Sequence, residues 1–280
     1  MRAKFAGKYL GKLIYVFAAF YTFLSLYPLV WMLFYSLKNN EEIFVTNPFL
    51  FPKVIRWQNY VRALTEFNVF MYFKNSMIVS LIAILFGIGL ASMFSYAVAR
   101  MKFKLAPLAR LYIVMGMFIP VQIVIIPLVL IVRDFHLTDT LLAIIVPYIA
   151  FSFPLATIIL YGFYRTIPFE MEESACIDGA SIYVIFLRII LPLIKPAVAT
   201  LIIFQFMSHW NEFTLALILI SKESLKTLPL GLVHFVGQFS TEWGPMGASL
   251  VIASFPVILI YLIFSDKVEK AMSIGAALKG

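Results

Sequence analysis

Charge and cysteine are what this chain has least of. Only 13% of its 280 residues are charged, and Cys176 is its single cysteine. One cysteine forms no internal disulfide, and no histidine stands near it in sequence, so Cys176 reads as a small apolar filler and not as a nucleophile. A G-x-x-x-x-G-K-[ST] phosphate loop is missing. The three histidines, His136, His209 and His234, are scattered, and no Ser/His/Asp arrangement accompanies them, so no catalytic residue is assigned. His209 and Glu212 share an i,i+3 face, but two ligands do not make a metal site. There is no basic, aromatic-interleaved stripe away from the ends of the apolar runs, which excludes a nucleic-acid partner as the reason for the net charge of +8. No soluble domain and no internal repeat are visible.

What the chain does have is long apolar runs. Hydrophobic residues make up 62% of it, and its mean hydropathy of +0.97 is too high for a water-soluble domain of this length. A spanning helix needs about 20 mostly apolar residues. Six stretches qualify: 13–37, 75–99, 111–132, 140–164, 196–221 and 245–265. All but the fifth lack Asp, Glu, Lys and Arg. The runs are continuously apolar rather than alternating, which excludes barrel strands and predicts an all-α integral membrane protein of one domain. Basic residues then set the orientation. With both termini cytoplasmic, fourteen of the 22 Lys and Arg fall on the inner side, among them Arg2, Lys4, Arg100, Lys102, Arg165, Arg188 and Lys267. The basic start of the chain leads into a 25-residue run with no small-x-small site after it, which reads as an uncleaved anchor.

Two connections stand out. The first external loop, about Lys38 to Lys74, contains Pro48 and Pro52 and then Trp57, Tyr60, Val61 and Leu64 on one face at helical spacing. Such a helix suits the outer headgroups or a soluble partner. The cytoplasmic loop 168–192 is acidic where the rest of that face is basic. Pro168 suits a first helical turn, Glu170, Glu172 and Glu173 lie at the positive end of the helix dipole, and Gly179 tolerates the left-handed backbone that ends a helix. Ser181 is placed to cap a second short helix that runs toward Leu191 and Pro192.

The run Glu173-Ser174-Ala175-Cys176-Ile177-Asp178-Gly179, with Ile189 and Leu191-Pro192 following, resembles the EAA loop of the membrane subunits of ATP-binding-cassette (ABC) importers. Ser174 alone departs from the pattern, where Ala is usual. The likeness extends along the chain through Asn75-Ser76, Tyr96-Ala97-Val98-Ala99-Arg100, Ile119-Pro120-Val121-Gln122, Pro147-Tyr148, Trp210-Asn211-Glu212-Phe213 and Leu278-Lys279-Gly280. Together these are similar to the shorter, six-helix permease of carbohydrate importers. The resemblance implies a type I ABC-importer permease in a bacterial or archaeal inner membrane. It also implies a second permease subunit, two cytosolic ATPase subunits that bind ATP and Mg, an extracytoplasmic substrate-binding protein, and no cofactor on this chain. Glu172, Glu173, Ser174, Ala175, Asp178, Gly179, Ala180, Leu191 and Pro192 would then form the ATPase-coupling surface. The tail from Ser273 to Gly280, by its small residues too flexible for a span and too apolar for a solvated end, is expected either to touch the ATPase pair or to fray.

Span five carries the other candidates. Gln205, His209, Asn211 and Glu212 interrupt an apolar helix, and polar groups inside a membrane span are costly unless they face a cavity or another helix. They are expected to line a substrate path, with Trp210 offering a flat face for a sugar ring, His209 a partner for Glu212, and Gln122 and Tyr148 contributing from spans three and four. The rival expectation is a self-sufficient secondary carrier or channel, which would work without ATPases.

Overall fold

The computed structural model describes residues 2–235 and 241–277, with side chains described over 12–233, 235 and 241–264. The tail Leu278-Lys279-Gly280 and the side chain of His234 lie outside the described residues. Among the described residues every regular element is helical. The helices are α1 (Arg2–Ser36), α2 (Gln58–Thr65), α3 (Val69–Arg100), α4 (Ala106–Met115), α5 (Val121–Asp134), α6 (Leu142–Thr166), α7 (Glu170–Ile177), α8 (Ile182–Val184), α9 (Leu191–Leu193), α10 (Lys195–Trp210), α11 (Thr214–Leu219), α12 (Leu228–Gly231) and α13 (Trp243–Ala277). Four of them, α1, α3, α6 and α13, are long and apolar enough to cross a bilayer singly, and two bent helix pairs raise the number to six when each pair is counted as one span.

The bends have local causes. The third span folds by 105° between Ala106–Phe118 and Val121–Asp134. Pro120 stands in the corner with extended backbone, and Ile119, the residue before it, is extended too, as the proline ring requires. A second bend of 71° separates Ile182–Leu193 from Lys195–Trp210, where Pro192 and Pro196 each occupy the first turn of a new helix. The fifth apolar stretch is not one helix. It stops at Trp210 and restarts at Thr214 because the Glu212 carboxylate accepts the backbone N–H of Leu215 at 2.7 Å and of Ala216 at 3.2 Å, satisfying two otherwise orphaned donors at the start of α11.

Contacts divide the chain into two units, Met1–Val69 with Leu232–Phe255, and Phe70–Gly231 with Pro256–Gly280. In the first, none of the most apolar stretch of α1 is buried. The loop that follows α1 is held by polar groups instead. Lys38 is fully buried and donates to the Asn47 carbonyl at 2.6 Å; burial pushes its amine below the ordinary lysine range, partly opposed by Glu42. Asn59 donates to the carbonyls of Ser36 and Lys38, both at 2.8 Å. On α2 the buried residues are Asn59 and Ala63, so the apolar face of Trp57, Val61 and Leu64 is left exposed.

The second unit packs α3, α5, α6, α11 and α12 through Val79, Ala83, Val132, Ile144, Leu219 and Leu230, among others. The segment between α11 and α12 is tied to the start of α3. Asn75 donates to the carbonyls of Ser224 and Lys226, both at 2.9 Å, and the Ser76 hydroxyl accepts the Leu228 N–H at 2.8 Å. The Asn-Ser pair that opens span two is thus a clasp for a returning loop.

Candidate functional site: an anchored acidic loop and a polar membrane cavity

Two sites lie in the second unit. The first is the acidic loop. Helix α7 ends in a two-bond glycine cap: Ala180 N–H donates to the Ala175 carbonyl at 2.9 Å and Gly179 N–H to that of Cys176 at 3.0 Å, with Gly179 at φ +79°. A Cβ built on Gly179 meets nothing within 4 Å, so glycine is required there for its backbone angle alone. Ser174, the residue that departs from the family pattern, donates to the Glu170 carbonyl at 2.8 Å. Ser181 has the extended backbone of a helix cap but makes no side-chain cap bond. Its helix is short, because Ile185–Ile190 winds as a π-turn before α9.

The acids of the loop divide into two groups. Glu173, Asp178 and Glu170 are exposed. Glu172 instead faces inward, accepting from Arg100 Nε at 2.5 Å and from the Tyr96 hydroxyl at 2.9 Å. The Arg100 side chain is 1% exposed. Its other nitrogens donate to the backbone carbonyls of Tyr164, Ile167 and Pro168 at 3.2, 2.8 and 3.2 Å, and its guanidinium lies 3.6 Å over the Phe169 ring. One cation at the end of α3 therefore fastens the end of α6 and the start of α7. Sequence reasoning counts Arg100 as a topology charge and as the end of a resemblance motif, and misses this role. Around the acids the loop exposes apolar surface, including Ile177 at 86% and Tyr183 at 75%. Ala175 is buried, Ala180 and Leu191 are half-buried and Pro192 is exposed; Leu191 and Pro192 help line an apolar groove of about 430 Å³ with Leu187 and Val198.

The second site is a cavity of about 320 Å³ among α5, α6, α10 and the start of α11, whose walls include Tyr148, Ser152, Gln205, Ser208, His209 and Glu212. Four of the expected path residues meet there. The partner of Glu212 is Tyr148, whose hydroxyl donates to Oε2 at 2.7 Å, and not His209 as expected. His209 stacks on the Tyr148 ring instead, with centroids 4.9 Å apart. The Glu212 charge is offset by the N-terminus of α11 and this hydroxyl, a fixed polar environment that suits a carboxylate inside an apolar span.

The remaining path candidates do not line the cavity. Trp210 is buried, stacked on Phe206 at 5.2 Å and met edge-on by Phe73 at 5.4 Å, so both aromatic neighbours come from the protein itself. Asn211 is exposed and its amide donates back to the Met207 carbonyl at 2.8 Å. Gln122 is exposed one residue into α5. Among the described residues no cluster of three or more His, Cys, Asp or Glu is placed to hold a metal.

Known transport proteins resemble the chain in sequence and in fold. It is 32% identical over 250 residues to the diacetylchitobiose uptake system permease protein NgcG of Streptomyces coelicolor, covering 89% of this chain and 82% of that one. It is 32% identical over 256 residues to the sulfoquinovosyl glycerol transport system permease protein SmoH of Agrobacterium fabrum, covering 91% and 90%. Its fold is that of a chain in the crystal structure of a bacterial ABC transporter involved in the import of the acidic polysaccharide alginate, with a TM-score of 0.81 over 93% of this chain and 97% of that one at 22% identity. Residues 83–274, which hold both sites, match the binding-protein-dependent transport system inner membrane component family, and the chain belongs to that family.

Proposed function

We propose that this chain is one of two unlike permease subunits in an ATP-driven importer of a sugar or oligosaccharide. It hydrolyses nothing itself; ATP and Mg are bound by two cytosolic ATPase subunits, and an extracytoplasmic binding protein delivers the substrate. Both termini are cytoplasmic, which puts the loop 168–192 on the ATPase side. Glu173, Asp178 and the exposed apolar residues around them meet the ATPase, while Gly179 and Ala180 shape the turn. Tyr148, Gln205, His209 and Glu212 line the substrate path.

The observation that carries this reading is the division of the acidic loop. Glu172 is fastened inward by Arg100, whereas Glu173 and Asp178 face outward beside an 86%-exposed Ile177. An exposed isoleucine flanked by acids at a helix end suits a docking face more than a solvated surface. The sugar assignment is supported by the relatives, several of which are named for sugar uptake.

Co-expression of the chain with the open reading frames that flank it tests the reading. The purified membrane complex is expected to contain an ATPase pair, and Glu173→Lys is expected to reduce ATPase retention and abolish uptake. A chain that purifies alone and accumulates sugar in vesicles under an ion gradient would make it a secondary carrier.

A further inference from the structure

The loop that follows α1 turns back along that helix instead of leaving it. Trp31 Nε1 donates to the Pro48 carbonyl at 2.9 Å, and the Phe51 ring meets the Phe34 ring edge-on at 5.3 Å. The Arg56 N–H then donates to the Leu37 carbonyl at 3.0 Å, so by residue 56 the chain has returned to the end of the helix. Trp31 stands five residues before Ser36, the last residue of α1, and at 1.5 Å per residue the loop reaches back about 7.5 Å from the helix end. That depth lies inside the stretch of α1 that can cross a bilayer. Polar groups hold the dip from within. Besides the bond from Lys38 to the Asn47 carbonyl, the Asn47 side-chain amide donates to the Phe51 carbonyl at 2.7 Å and the Lys53 N–H to the Glu42 carboxylate at 2.5 Å. The outward side chains are apolar: Phe49, Leu50, Phe51, Val54 and Ile55 are all exposed, Leu50 at 72%.

An apolar patch of this kind is out of place in water, and a soluble partner would reach its depth only by entering the bilayer. Backbone at such a depth has to be satisfied internally, as the carbonyls of Asn47, Pro48 and Phe51 are. Lys53 is exposed and Arg56 half-buried, and among the described residues neither forms an ion pair. Basic side chains beside a span are drawn to lipid phosphates. We propose that residues 47–56 are an interfacial anchor: Phe49, Leu50 and Phe51 insert among the first carbons of the acyl chains in the leaflet where α1 ends, while Lys53 and Arg56 meet the phosphates of the same lipids. The reach matches the depth of amphipathic segments that lie in an interface, about 5–10 Å into the boundary of headgroups and acyl chains. The inference rests on α1 as a span and not on the sugar assignment. It fixes the end of α1 at one height in the bilayer.

The test uses the assembled complex, first without any substitution. It is reconstituted in vesicles of phosphatidylethanolamine and phosphatidylglycerol that contain a trace of one of two photoreactive phosphatidylcholines. The shallow probe has a diazirine near the glycerol end of an acyl chain, and the deep probe has it at the chain terminus. After illumination, peptide mapping locates the adducts. The shallow probe is expected to mark residues 49–51, and the deep probe to mark the exposed faces of spans but not these residues. Leu50→Asp changes a side chain that is mostly exposed, so the complex should still assemble. It is expected to lose the shallow adduct at 49–51, because a carboxylate draws the tip out of the acyl chains, while adducts on the spans stay as they were.

Labelled spans with no adduct on the loop would overturn the anchor, because the patch would then be covered by the second permease or stand in water. Equal marking of 49–51 by both probes would overturn the interfacial placement. A shallow adduct in Leu50→Asp as strong as in the parent would also overturn the proposal, since lipid contact would then not depend on the apolar tip.

Discussion

Replacing Arg100 with Gln removes the cation that fastens the acidic loop while keeping a side chain of polar character. The side chain is 1% exposed and its partner Glu172 15% exposed, so the pair is buried on one side and nearly so on the other. Breaking a buried pair by removing one partner costs roughly 3–5 kcal/mol, because the remaining charge is left unsatisfied. The slight exposure of Glu172 favours the lower end, about 3 kcal/mol. Loss of the donors to the Ile167 and Pro168 carbonyls adds to this. About 3 kcal/mol corresponds to a shift of more than a hundredfold in the equilibrium between a docked and a detached loop. Hydrogen exchange across residues 169–180 in the purified complex should therefore speed up, while exchange in the middle of α3 stays as it was. Uptake should fall further than ATP hydrolysis, since a loosely held loop can still meet an ATPase but no longer moves α3 and α6 with it. Arg100→Lys should rescue only in part, because an ammonium lacks the planar fork that reaches several carbonyls together. Unchanged loop exchange together with an unchanged ratio of sugar imported to ATP hydrolysed in Arg100→Gln would refute this account.

Three further outcomes are expected. Gly179→Ala places a side chain in open space but at φ +79°, so it should destabilise the loop by about 1–2 kcal/mol through backbone strain alone, read as faster exchange at Gly179 and Ala180 with normal membrane insertion. Trp210→Ala empties a site that is 3% exposed and stacked on Phe206; a loss of about 3–5 kcal/mol should lower complex yield and melting temperature, and normal yield with selectively impaired uptake would contradict the packing role. Asp139 is held below the ordinary aspartate value of 3.8 by the backbone N–H groups of Lys222 and Ser221, so its stabilising effect is present above that value and is lost as the pH falls through the lower folded value. The melting difference between the parent and Asp139→Asn should be present at neutral pH and disappear in strong acid.

Much of the fold is legible from the runs themselves, since stretches such as 75–99 and 140–164 are too long and apolar for anything but a helix in lipid. The glycine turn is legible as well, because Gly179 follows an acidic helix and few other residues accept its backbone angle. The break at residues 211–213 is not. Hydropathy sees an unbroken run there, whereas the structure depends on a single carboxylate turning to cap the next helix. The roles of Arg100 and Trp210 are hidden for a related reason: Arg100 acts on carbonyls more than sixty residues away, and the face on which Trp210 packs is chosen partly by Phe73 on another helix. Periodicity along one helix contains neither fact. The pairing of Tyr148 with Glu212 joins two residues that each look like a path candidate, and only their distance turns them into a fixed wall.

The turn at Gly179 selects by handedness and not by size. Because its backbone lies at φ +79° and a methyl group added there would meet no atom within 4 Å, the mirror-image residue D-alanine would sit there in its own preferred conformation, whereas L-alanine is strained. A semisynthetic chain carrying D-alanine at 179 should hold the loop more firmly than glycine does, since it has fewer unfolded conformations to lose. A single added methyl group has room here, and handedness is the property on which the turn depends.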